Sequence, residues 1–382
     1  MAIQTIVSNL RQIATLFDMR ADFVFGYPYG NGHINDTYCV SFDQAGLLRI
    51  RYIFQRINTS VFRKPEDLME NISRVTRHSL QRLQEEDHPE AYRRTLTCIP
   101  STEGKPYAVD AEGNYWRVYP FIERATGFDI LETNEQAFQA ANAFGNFQML
   151  AAGLTGDRLH ETIPDFHNTP KRLEALLTAI EADPKNRAAG LKPEIAFVLA
   201  RDSDCRRITD LISTGEIPER VTHNDTKLNN VLLDDSTAEG VCVIDLDTTM
   251  PGTALYDFGD MVRTAATNKR EDDANTAGLE VRIDRFEALV RGYLVAGQTF
   301  LNPVEIDHLA FSGKLLTLEC GIRFLTDYLQ GDTYFKIKRP DHNLDRCRNQ
   351  FAFVAALEGK LSEMERIVAV NAGVGSNQMA LA

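Results

Sequence analysis

Residues 221–235 read VTHNDTKLNNVLLDD, and residues 241–252 read VCVIDLDTTMPG. Between short runs of valine, leucine and isoleucine, these stretches concentrate side chains with imidazole, amide or carboxylate groups: His223, Asp225, Asn229, Asn230, Asp245 and Asp247. Short apolar runs bounded by turn-forming residues are typical of strands. The pattern therefore predicts either a turn-rich hairpin or a site that holds a cation together with its anionic ligand.

The composition of the whole chain limits the class of partner. Of the 382 residues, 43% are hydrophobic and 25% are charged, an ordinary balance for two domains or for one large domain with a division in it. The net charge of −13 disfavours nucleic acid and anionic membranes as partners, because both bind to a basic face. A polyanionic substrate such as a nucleotide would need local devices: a metal ion, loop amides and a few well-placed arginines.

The cysteines and the N-terminal segment indicate a cytoplasmic protein. No two of the six cysteines have CxxC spacing, so neither a zinc knuckle nor a thioredoxin-like redox motif is indicated, and buried free thiols are the simplest interpretation. Residues 1–17 predict an amphipathic helix rather than a signal peptide. No apolar run approaches the ~20 residues that a membrane-spanning helix needs. We therefore expect no membrane partner, and we expect a monomer.

The pattern of apolar residues changes from strand-like to helical along the chain. Four stretches in the first third have strand patterns bounded by turn signals: residues 23–42, 47–57, 92–100 and 114–123. A helix is predicted over residues 64–83, where Pro65 suits a first helical turn. From about Asn134 onward, apolar residues recur mainly at helical intervals, with VCVID at residues 241–245 as the main exception.

These patterns predict an α+β protein with two lobes. The smaller N-terminal lobe, residues 1–120, combines strands with a helix, and the larger C-terminal lobe, residues 121–382, is mainly helical. The connection between the lobes is expected near residues 119–124. Because a cleft between lobes is a common place for a small ligand, we expect the functional site there.

The polar residues of the opening stretch suit phosphoryl transfer from ATP. This reaction needs positioning, one or two metal ions on the phosphates, and a group that accepts the proton of the acceptor hydroxyl. Asp225 is the candidate base, and Asn230, five residues later, can turn back toward a metal ion. Asp245 follows the predicted strand VCVI, and oxygen ligands of this kind suit Mg²⁺. The chain contains no Walker P-loop, HExxH or GxSxG motif that would indicate a rival chemistry.

A family resemblance strengthens this interpretation. HNDTKLNN at residues 223–230 resembles the catalytic-loop pattern H-x-D-x-x-x-x-N of the aminoglycoside phosphotransferase and choline kinase superfamily, whose members are related to protein kinases. IDLD at 244–247 and YDFGD at 256–260 resemble the metal-binding segment of that superfamily and the acidic segment after it. An ordered set of motifs narrows the match: GNGHINDTYCV, QRINTSVF, THNDTKLNN, IDLDTTMPG, DFGD and LECGIRFLTDYLQGDTYF. In this order they are very similar to bacterial N-acetylhexosamine 1-kinases, from about residue 20 to residue 360.

The resemblance implies a bilobal, protein-kinase-like fold and a specific reaction. ATP, with Mg²⁺, would phosphorylate the anomeric hydroxyl of N-acetylglucosamine or N-acetylgalactosamine, giving the sugar 1-phosphate. The resemblance assigns the base to Asp225 and the metal to Asn230 and Asp245. It also implies that five side chains lie against the amino sugar: His33, Asp225, Asp245, Arg323 and Tyr334.

The nucleotide end of the predicted site departs from the protein-kinase pattern. Protein kinases carry a lysine on the third strand that grips the phosphates, but RIRYIFQRINTS at residues 49–60 contains no lysine. We expect Arg51, Gln55 or Arg56 to substitute for it. Gly30 and Gly32 predict a glycine-rich loop over the phosphates, although a plain hairpin turn fits the same residues.

Simpler structural roles also fit several of these residues. Glu319 and Asp327 lie four residues to either side of Arg323, a spacing typical of an exposed ion-pair ladder on a helix. Tyr334 fits a core aromatic residue equally well. Asp247, Asp257 and Asp260 are candidates for structural groups that brace the loop, so we list no ligand role for them.

Two other functions remain open from the sequence. The first keeps the chemistry and changes the acceptor to an aminoglycoside, choline, homoserine or another sugar. The second is a nucleotide-binding pseudokinase that serves as a partner module, for which the missing third-strand lysine is the best support. Against a pseudokinase, a module that only binds nucleotide has no need of the base Asp225.

Overall fold

A computed structural model describes residues 2–30, 32, 34–128 and 132–373. The N-terminal part is built on one antiparallel sheet in the order β1-β2-β3-β5-β4. Its strands are β1 (Asp22–Pro28), β2 (Asp36–Gln44), β3 (Leu48–Arg56), β4 (Ala108–Val109) and β5 (Tyr115–Pro120). Three helices accompany the sheet: α1 (Ala2–Ala14), α2 (Pro65–Glu85) and α3 (Ala91–Arg94).

The two faces of this sheet have different partners, because successive side chains of a strand point to opposite faces. On one face, Phe42, Phe54 and Val118 pack with Leu10 and Ile13 of α1 to form a small core. On the other face, Gln55 of β3 lies opposite Arg117 of β5 in register, and Ile53 packs against the core of the helical part. The polar residues of this second face are therefore available to a site between the sheet and the helices.

The strand predicted over residues 92–100 is wrong. This stretch begins within α3 and continues as an irregular segment, and the two-residue strand β4 lies between the stretches predicted as strands at 92–100 and 114–123. Arginine side chains hold the segment in place, because Arg93 donates to the backbone oxygens of Glu123 and Arg124, and Arg94 donates to that of Gly240. A pattern of alternating apolar residues does not predict side-chain contacts with backbone far along the chain.

The rest of the chain is mainly helical. Its helices are α4 (Asn134–Ala151), α5 (Thr169–Ala182), α6 (Lys192–Leu199), α7 (Asp202–Ser213), α8 (Ala254–Ala265), α9 (Ile283–Gly297), α10 (Pro303–Gln330) and α11 (His342–Asn371). Short strands lie between them: β6 (Ala125–Gly127), β7 (Arg220–Thr222), β8 (Val231–Asp234), β9 (Gly240–Val243) and β10 (Met250–Gly252). β6, β8 and β9 form one antiparallel sheet, and β7 pairs with β10.

Tight helix packing forms the main core. Helices α4 and α9 approach so closely that a Cβ atom at Gly292 would lie 2.1 Å from the backbone oxygen of Phe138. A side chain at this position would push the two helices apart. Helix α10 begins with a capping box in which Asn302 and Glu305 satisfy each other's backbone amides. The short strands β7 to β10 rest on this helical base.

The α+β fold class is confirmed, with an antiparallel sheet in the N-terminal lobe and a helical C-terminal region. The exact lobe boundary near residue 120 stays a prediction. Within the described parts of the chain, no helix is both long enough and apolar enough to cross a membrane.

Candidate active site

The loop between β7 and β8 contains the predicted catalytic residues, and a buried aspartate holds its backbone. The carboxylate of Asp257, on α8, accepts hydrogen bonds from the backbone N–H groups of His223 at 3.0 Å and Asn224 at 2.7 Å. Asn224 has a φ of 64°, in the left-handed region that asparagine tolerates better than most residues. The hydroxyl of Thr226 donates to the backbone oxygen of Asp257 at 2.6 Å. Asp257 therefore fixes the loop immediately before and after Asp225.

His223 links this loop to the segment that carries Asp245. Its Nδ1 accepts from the backbone N–H of Asp225 at 3.2 Å, so its Nε2 is the nitrogen that donates, to the backbone oxygen of Ile244 at 2.9 Å. The rings of Phe144 and Phe147 pack edge-on against the imidazole. The role of His223 is thus to join two backbone segments beneath the site.

Asp225 and Asn230 lie in direct contact. The amide nitrogen of Asn230 donates to the backbone oxygen of Asp225 at 2.8 Å and approaches its carboxylate at 3.4 Å. The other carboxylate oxygen of Asp225 pairs with the ammonium of Lys227 at 2.8 Å. Burial disfavours the charged carboxylate, but the ammonium of Lys227 together with other nearby cationic groups lowers the pKa of Asp225. Asp225 is therefore ionised near neutral pH and is a weak base.

Asp245 completes the group at the end of β9, with a left-handed φ of 58°. Its side chain is open to solvent at one side, yet the surrounding protein and the carboxylates of Asp247 and Asp225 raise its pKa to about 6. A divalent cation would relieve this repulsion between neighbouring carboxylates. The described residues contain no cluster of three or more His, Cys, Asp or Glu side chains able to hold a metal alone. Asn230 and Asp245 fit Mg²⁺, which takes few protein ligands and fills its remaining positions with phosphates and water.

A buried arginine that was not among the expected substitutes for the third-strand lysine lies beside Asp245. Arg117, on β5, is 1% exposed and forms an ion pair with Asp247. Its Nε donates to the side-chain oxygen of Gln55 at 2.9 Å, and Asn35 donates to Asp247 at 2.5 Å. The buried cation of this face therefore comes from the fifth strand rather than the third. One signal was present in the sequence, since Arg117 interrupts the otherwise apolar or aromatic run YWRVYP.

The predicted nucleotide residues Arg51 and Gln55 are both on the sheet face that meets the helices. Gln55 is occupied, because it accepts from Arg117 and donates to Thr37 at 3.0 Å. Arg51 donates to the carboxylate of Glu123 at 2.9 Å, and its guanidinium lies 3.8 Å from the ring centre of Phe121. Arg51 thus contacts residues 121 and 123, within the segment where the connection between the lobes is predicted. The third candidate, Arg56, points away and pairs with Asp36.

Aromatic side chains line the same face near Arg51. They form a row in which neighbouring ring centres are 5.5 to 6.3 Å apart: Phe25, Tyr27, Tyr29 and Phe121. The first three are exposed, each by 37% or more, although they are large aromatic residues. Exposed aromatic faces grouped in this way are suited to stacking against a flat ligand. We call these four residues the aromatic row.

The glycine-rich turn between β1 and β2 is described only in part. Gly30 has a φ of 80°, which favours glycine, and among the described residues no neighbouring atom lies within 4 Å of a Cβ built on Gly30 or Gly32. His33, the predicted sugar contact, and Asn31 lie outside the described residues. The role of this turn over phosphates stays a prediction.

Arg323 and Tyr334 lie together at the surface of the helical part. The guanidinium of Arg323 is 5.3 Å from the ring centre of Phe166, 5.9 Å from that of Tyr334 and 5.5 Å from that of Phe335. Tyr334 is 64% exposed, so the alternative that it is a core residue is wrong. Its backbone is held by Asp327, which accepts from the N–H groups of Tyr334 and Phe335.

The ion-pair ladder suggested for Arg323 is also wrong. The hydrogen bonds of the Glu319 carboxylate go instead to His167 at 2.7 Å and Thr169 at 2.6 Å, while Asp327 accepts from the backbone N–H groups after α10. Within the part of the chain that the structure describes, no carboxylate lies within ion-pair distance of Arg323. A guanidinium surrounded by aromatic rings and without an acidic partner is available to a ligand.

The family comparison agrees with this arrangement. The model of the phosphotransferase enzyme family (APH) matches residues 27–293, which include strands β2 to β5, the catalytic loop and α8. The chain belongs to this family.

Solved structures similar to this phosphotransferase have the same fold at low sequence identity. An aminoglycoside phosphotransferase from Alicyclobacillus acidocaldarius is 14% identical with a TM-score of 0.58, over 94% of this chain and 96% of that one. A choline/ethanolamine kinase family protein from Mesorhizobium loti is 14% identical with a TM-score of 0.53, over 97% and 100%. The amicoumacin kinase hAmiN, in complex with AMP-PNP, Ca²⁺ and Ami, is 12% identical with a TM-score of 0.56, over 94% and 93%.

A cavity of about 300 Å³ in this phosphotransferase lies beside the catalytic loop, but it is not the site described above. Its walls include Phe166, His167, Asn224, Met250 and Tyr256, and they include neither Asp225 nor Asp245. We therefore assign the chemistry to the cluster around Asp225 rather than to this cavity.

Proposed function

We propose that this phosphotransferase transfers the γ-phosphoryl group of ATP to the anomeric hydroxyl of an N-acetylhexosamine, N-acetylglucosamine or N-acetylgalactosamine. The environment of Arg323 supports this acceptor class, because among the described residues this cation has no ion-pair partner and it lies beside the exposed ring of Tyr334. A cationic acceptor such as choline or an aminoglycoside would be repelled by this guanidinium. A neutral sugar offers hydroxyl and carbonyl oxygens to Arg323 and an apolar ring face to Tyr334. The motif resemblance narrows the sugar to an N-acetylhexosamine.

The step we propose at Asp225 requires little proton affinity. The anomeric oxygen attacks the γ-phosphorus, the bond from that phosphorus to the β–γ bridging oxygen breaks, and ADP leaves. Asp225 orients the hydroxyl and receives its proton as the new bond forms. Lys227 lowers the pKa of Asp225, which makes it a weak base. A weak base is sufficient here, because an anomeric hydroxyl is more acidic than an ordinary alcohol and positioning supplies most of the acceleration.

Asn230 and Asp245 are the residues that we propose to hold Mg²⁺. The bound ion would neutralise charge on the β- and γ-phosphates. Contact with Asn230 holds Asp225 beside the metal site, and the pair between Asp247 and Arg117 anchors the segment after Asp245. The chain's own contribution is therefore to keep base and metal ligands at a constant separation.

For the nucleotide, we propose that the aromatic row receives the base and that Gly30 and Gly32 cover the phosphates. Arg51 lies against Phe121 of this row, which supports a contact near the base rather than with the γ-phosphate. Gln55 contributes indirectly, because its amide is used to hold Arg117.

The decisive experiment is an acceptor panel. We expect the protein with ATP and Mg²⁺ to release ADP in the presence of N-acetylglucosamine or N-acetylgalactosamine, and ³¹P NMR of the product to show phosphate on the anomeric oxygen. EDTA should abolish turnover. Phosphate found only on choline, homoserine or an aminoglycoside would refute the sugar assignment. If the protein binds ATP but releases no ADP with each acceptor of the panel, a pseudokinase would be indicated instead.

Tyr334→Ala should weaken binding of the sugar without weakening binding of the nucleotide. We expect the KM for the sugar to rise about tenfold, equivalent to about 1.4 kcal/mol, because the exposed ring no longer covers the sugar face. The KM for ATP should stay unchanged. Tyr92→Ala is the matched control, since Tyr92 is a similarly exposed tyrosine, 67% against 64%, and lies on α3. Equal effects of the two substitutions on the sugar KM would remove Tyr334 from the acceptor site.

A further inference from the structure

His167 is a buried histidine with a polar contact at each ring nitrogen. Its Nδ1 lies 2.7 Å from a carboxylate oxygen of Glu319, and its Nε2 lies 2.9 Å from the backbone oxygen of Asn224. The side chains of His167 and Glu319 are 6% and 1% exposed. The His167–Glu319 contact is therefore almost wholly buried.

Both contacting atoms are acceptors, and this determines the protonation of the ring. A carboxylate oxygen and a peptide oxygen cannot donate, so each ring nitrogen must carry a proton to make a hydrogen bond. Neutral imidazole has only one N–H group and would leave one nitrogen lone pair facing an oxygen. The geometry thus requires the doubly protonated, positively charged ring, with Glu319 as its counter-ion.

The backbone oxygen that His167 holds belongs to the residue before the proposed base. Asn224 is in the left-handed conformation, and Asp257 already holds its N–H group at 2.7 Å. The imidazolium holds the other end of that residue, at the peptide that leads into Asp225. An unusual backbone conformation persists only where surrounding contacts determine it. Two charged side chains, from different elements, perform this task on Asn224.

We propose that His167, in its imidazolium form, is a positioning residue that directs the Asp225 carboxylate by holding the Asn224–Asp225 peptide. Glu319 lies one helical turn before Arg323 on α10. The same pair therefore connects the proposed acceptor side of the site to the catalytic loop. The effect on turnover rests on the proposed function, whereas the protonation state of His167 does not.

The charged surroundings of His167 support the cationic form. Burial alone would lower its pKa, but Glu319 from α10, the Asn224 oxygen and Asp260 from α8 together raise it above the ordinary value. Tyr256, also on α8, packs its ring 5.2 Å from the imidazole. Because the pKa is raised in the folded protein, the contact is fully present below pH ~6.5, the ordinary value for histidine, and is lost as the pH rises through the folded value.

Nitrogen-15 NMR of histidine-labelled protein tests the protonation directly. We expect one histidine at pH 7.5 to show two protonated ring nitrogens, and His167→Gln to remove that signal. The chain has only eight histidines, so the assignment by substitution is practicable. A His167 signal with a single protonated nitrogen at this pH would overturn the proposal, whatever the protein catalyses.

Kinetics then test positioning. His167→Gln can still donate to the Asn224 oxygen but has no charge, and we expect kcat to fall by up to about 100-fold with the KM for ATP unchanged. The variant Glu319→Gln tests the charge of His167 more directly. The amide of the new glutamine can donate to Nδ1 of a neutral His167, whose Nε2–H keeps the Asn224 contact. The wild type should lose kcat at alkaline pH as His167 deprotonates, and Glu319→Gln should lack that loss.

His308→Gln is the matched control, because His308 contacts residues of its own helix, with Nδ1 2.8 Å from the Val304 oxygen and the ring edge-on to Phe311. It should behave as the wild type throughout. Full kcat in His167→Gln, or an unchanged alkaline loss in Glu319→Gln, would overturn the positioning role. If the wild type phosphorylates no acceptor, the proposed function fails, and the NMR result still decides the state of His167. Thermal melting of each variant separates loss of fold from loss of positioning.

Discussion

Asp225→Asn is expected to lower kcat by about 10²- to 10⁴-fold while ATP with Mg²⁺ still binds. The amide keeps the size of the carboxylate and its contact with Asn230, but it cannot receive the proton of the acceptor hydroxyl. The measurement is single-turnover phosphoryl transfer alongside calorimetric titration with a non-hydrolysable ATP analogue. Nucleotide affinity should change little, because we assign the metal to Asn230 and Asp245.

Thr226→Ser is a suitable control for Asp225→Asn. It alters the neighbouring residue but retains the hydroxyl that donates to the backbone oxygen of Asp257. We expect kcat within about twofold of the wild type, a difference of less than about 0.5 kcal/mol in the barrier. Normal turnover in Asp225→Asn would show that Asp225 is not the base of the reaction.

Arg117→Met is expected to reduce the free energy of unfolding by about 3–5 kcal/mol. The substitution leaves the Asp247 carboxylate buried without its counter-ion, since the two side chains are 1% and 5% exposed. Urea denaturation measures the loss. Turnover should also fall where the variant is folded, because Asp247 lies two residues from Asp245 and anchors that segment to the sheet.

Two comparisons isolate the buried pair. Arg56→Met breaks an exposed pair with Asp36, whose side chains are 44% and 48% exposed, and should cost no more than about 1 kcal/mol. The double variant Arg117→Met/Asp247→Leu removes both charges and should recover much of the stability lost in Arg117→Met, because no buried charge remains unpaired. It should not recover turnover. If Arg117→Met and Arg56→Met reduced the free energy of unfolding equally, the buried pair would contribute no more to stability than the exposed one.

The sequence was most informative where the functional groups are close along the chain. Asp225 and Asn230 are five residues apart, and the structure brings them into contact, while the metal role expected of Asn230 stays a prediction. Helices α1 and α2 also agree with their apolar periodicity. Their signals are local, because a helix or a short loop is determined largely by neighbouring residues.

The errors arose where distant segments compete for the same side chain. An ion pair between Glu319 and Arg323, four residues away, was one alternative, but the carboxylate of Glu319 contacts the buried ring of His167 instead. The predicted strand over residues 92–100 failed for a related reason, because Arg93 and Arg94 bind backbone oxygens far along the chain. A local sequence pattern reports only on residues within the same helix or strand, so it does not reveal contacts with distant parts of the chain.

By itself, the sequence determined the class of fold, the order of its two lobes and the identity of the loop around Asp225, since these follow from apolar periodicity and closely spaced motifs. Only the tertiary structure decided that Arg117 supplies the buried cation of the sheet and that Arg323 has no acidic partner within the described residues. It also decided that His167 holds the backbone before Asp225. The physical reason is that electrostatic partners are selected by distance in space and by exclusion of water, and neither quantity is encoded in the separation of residues along the chain.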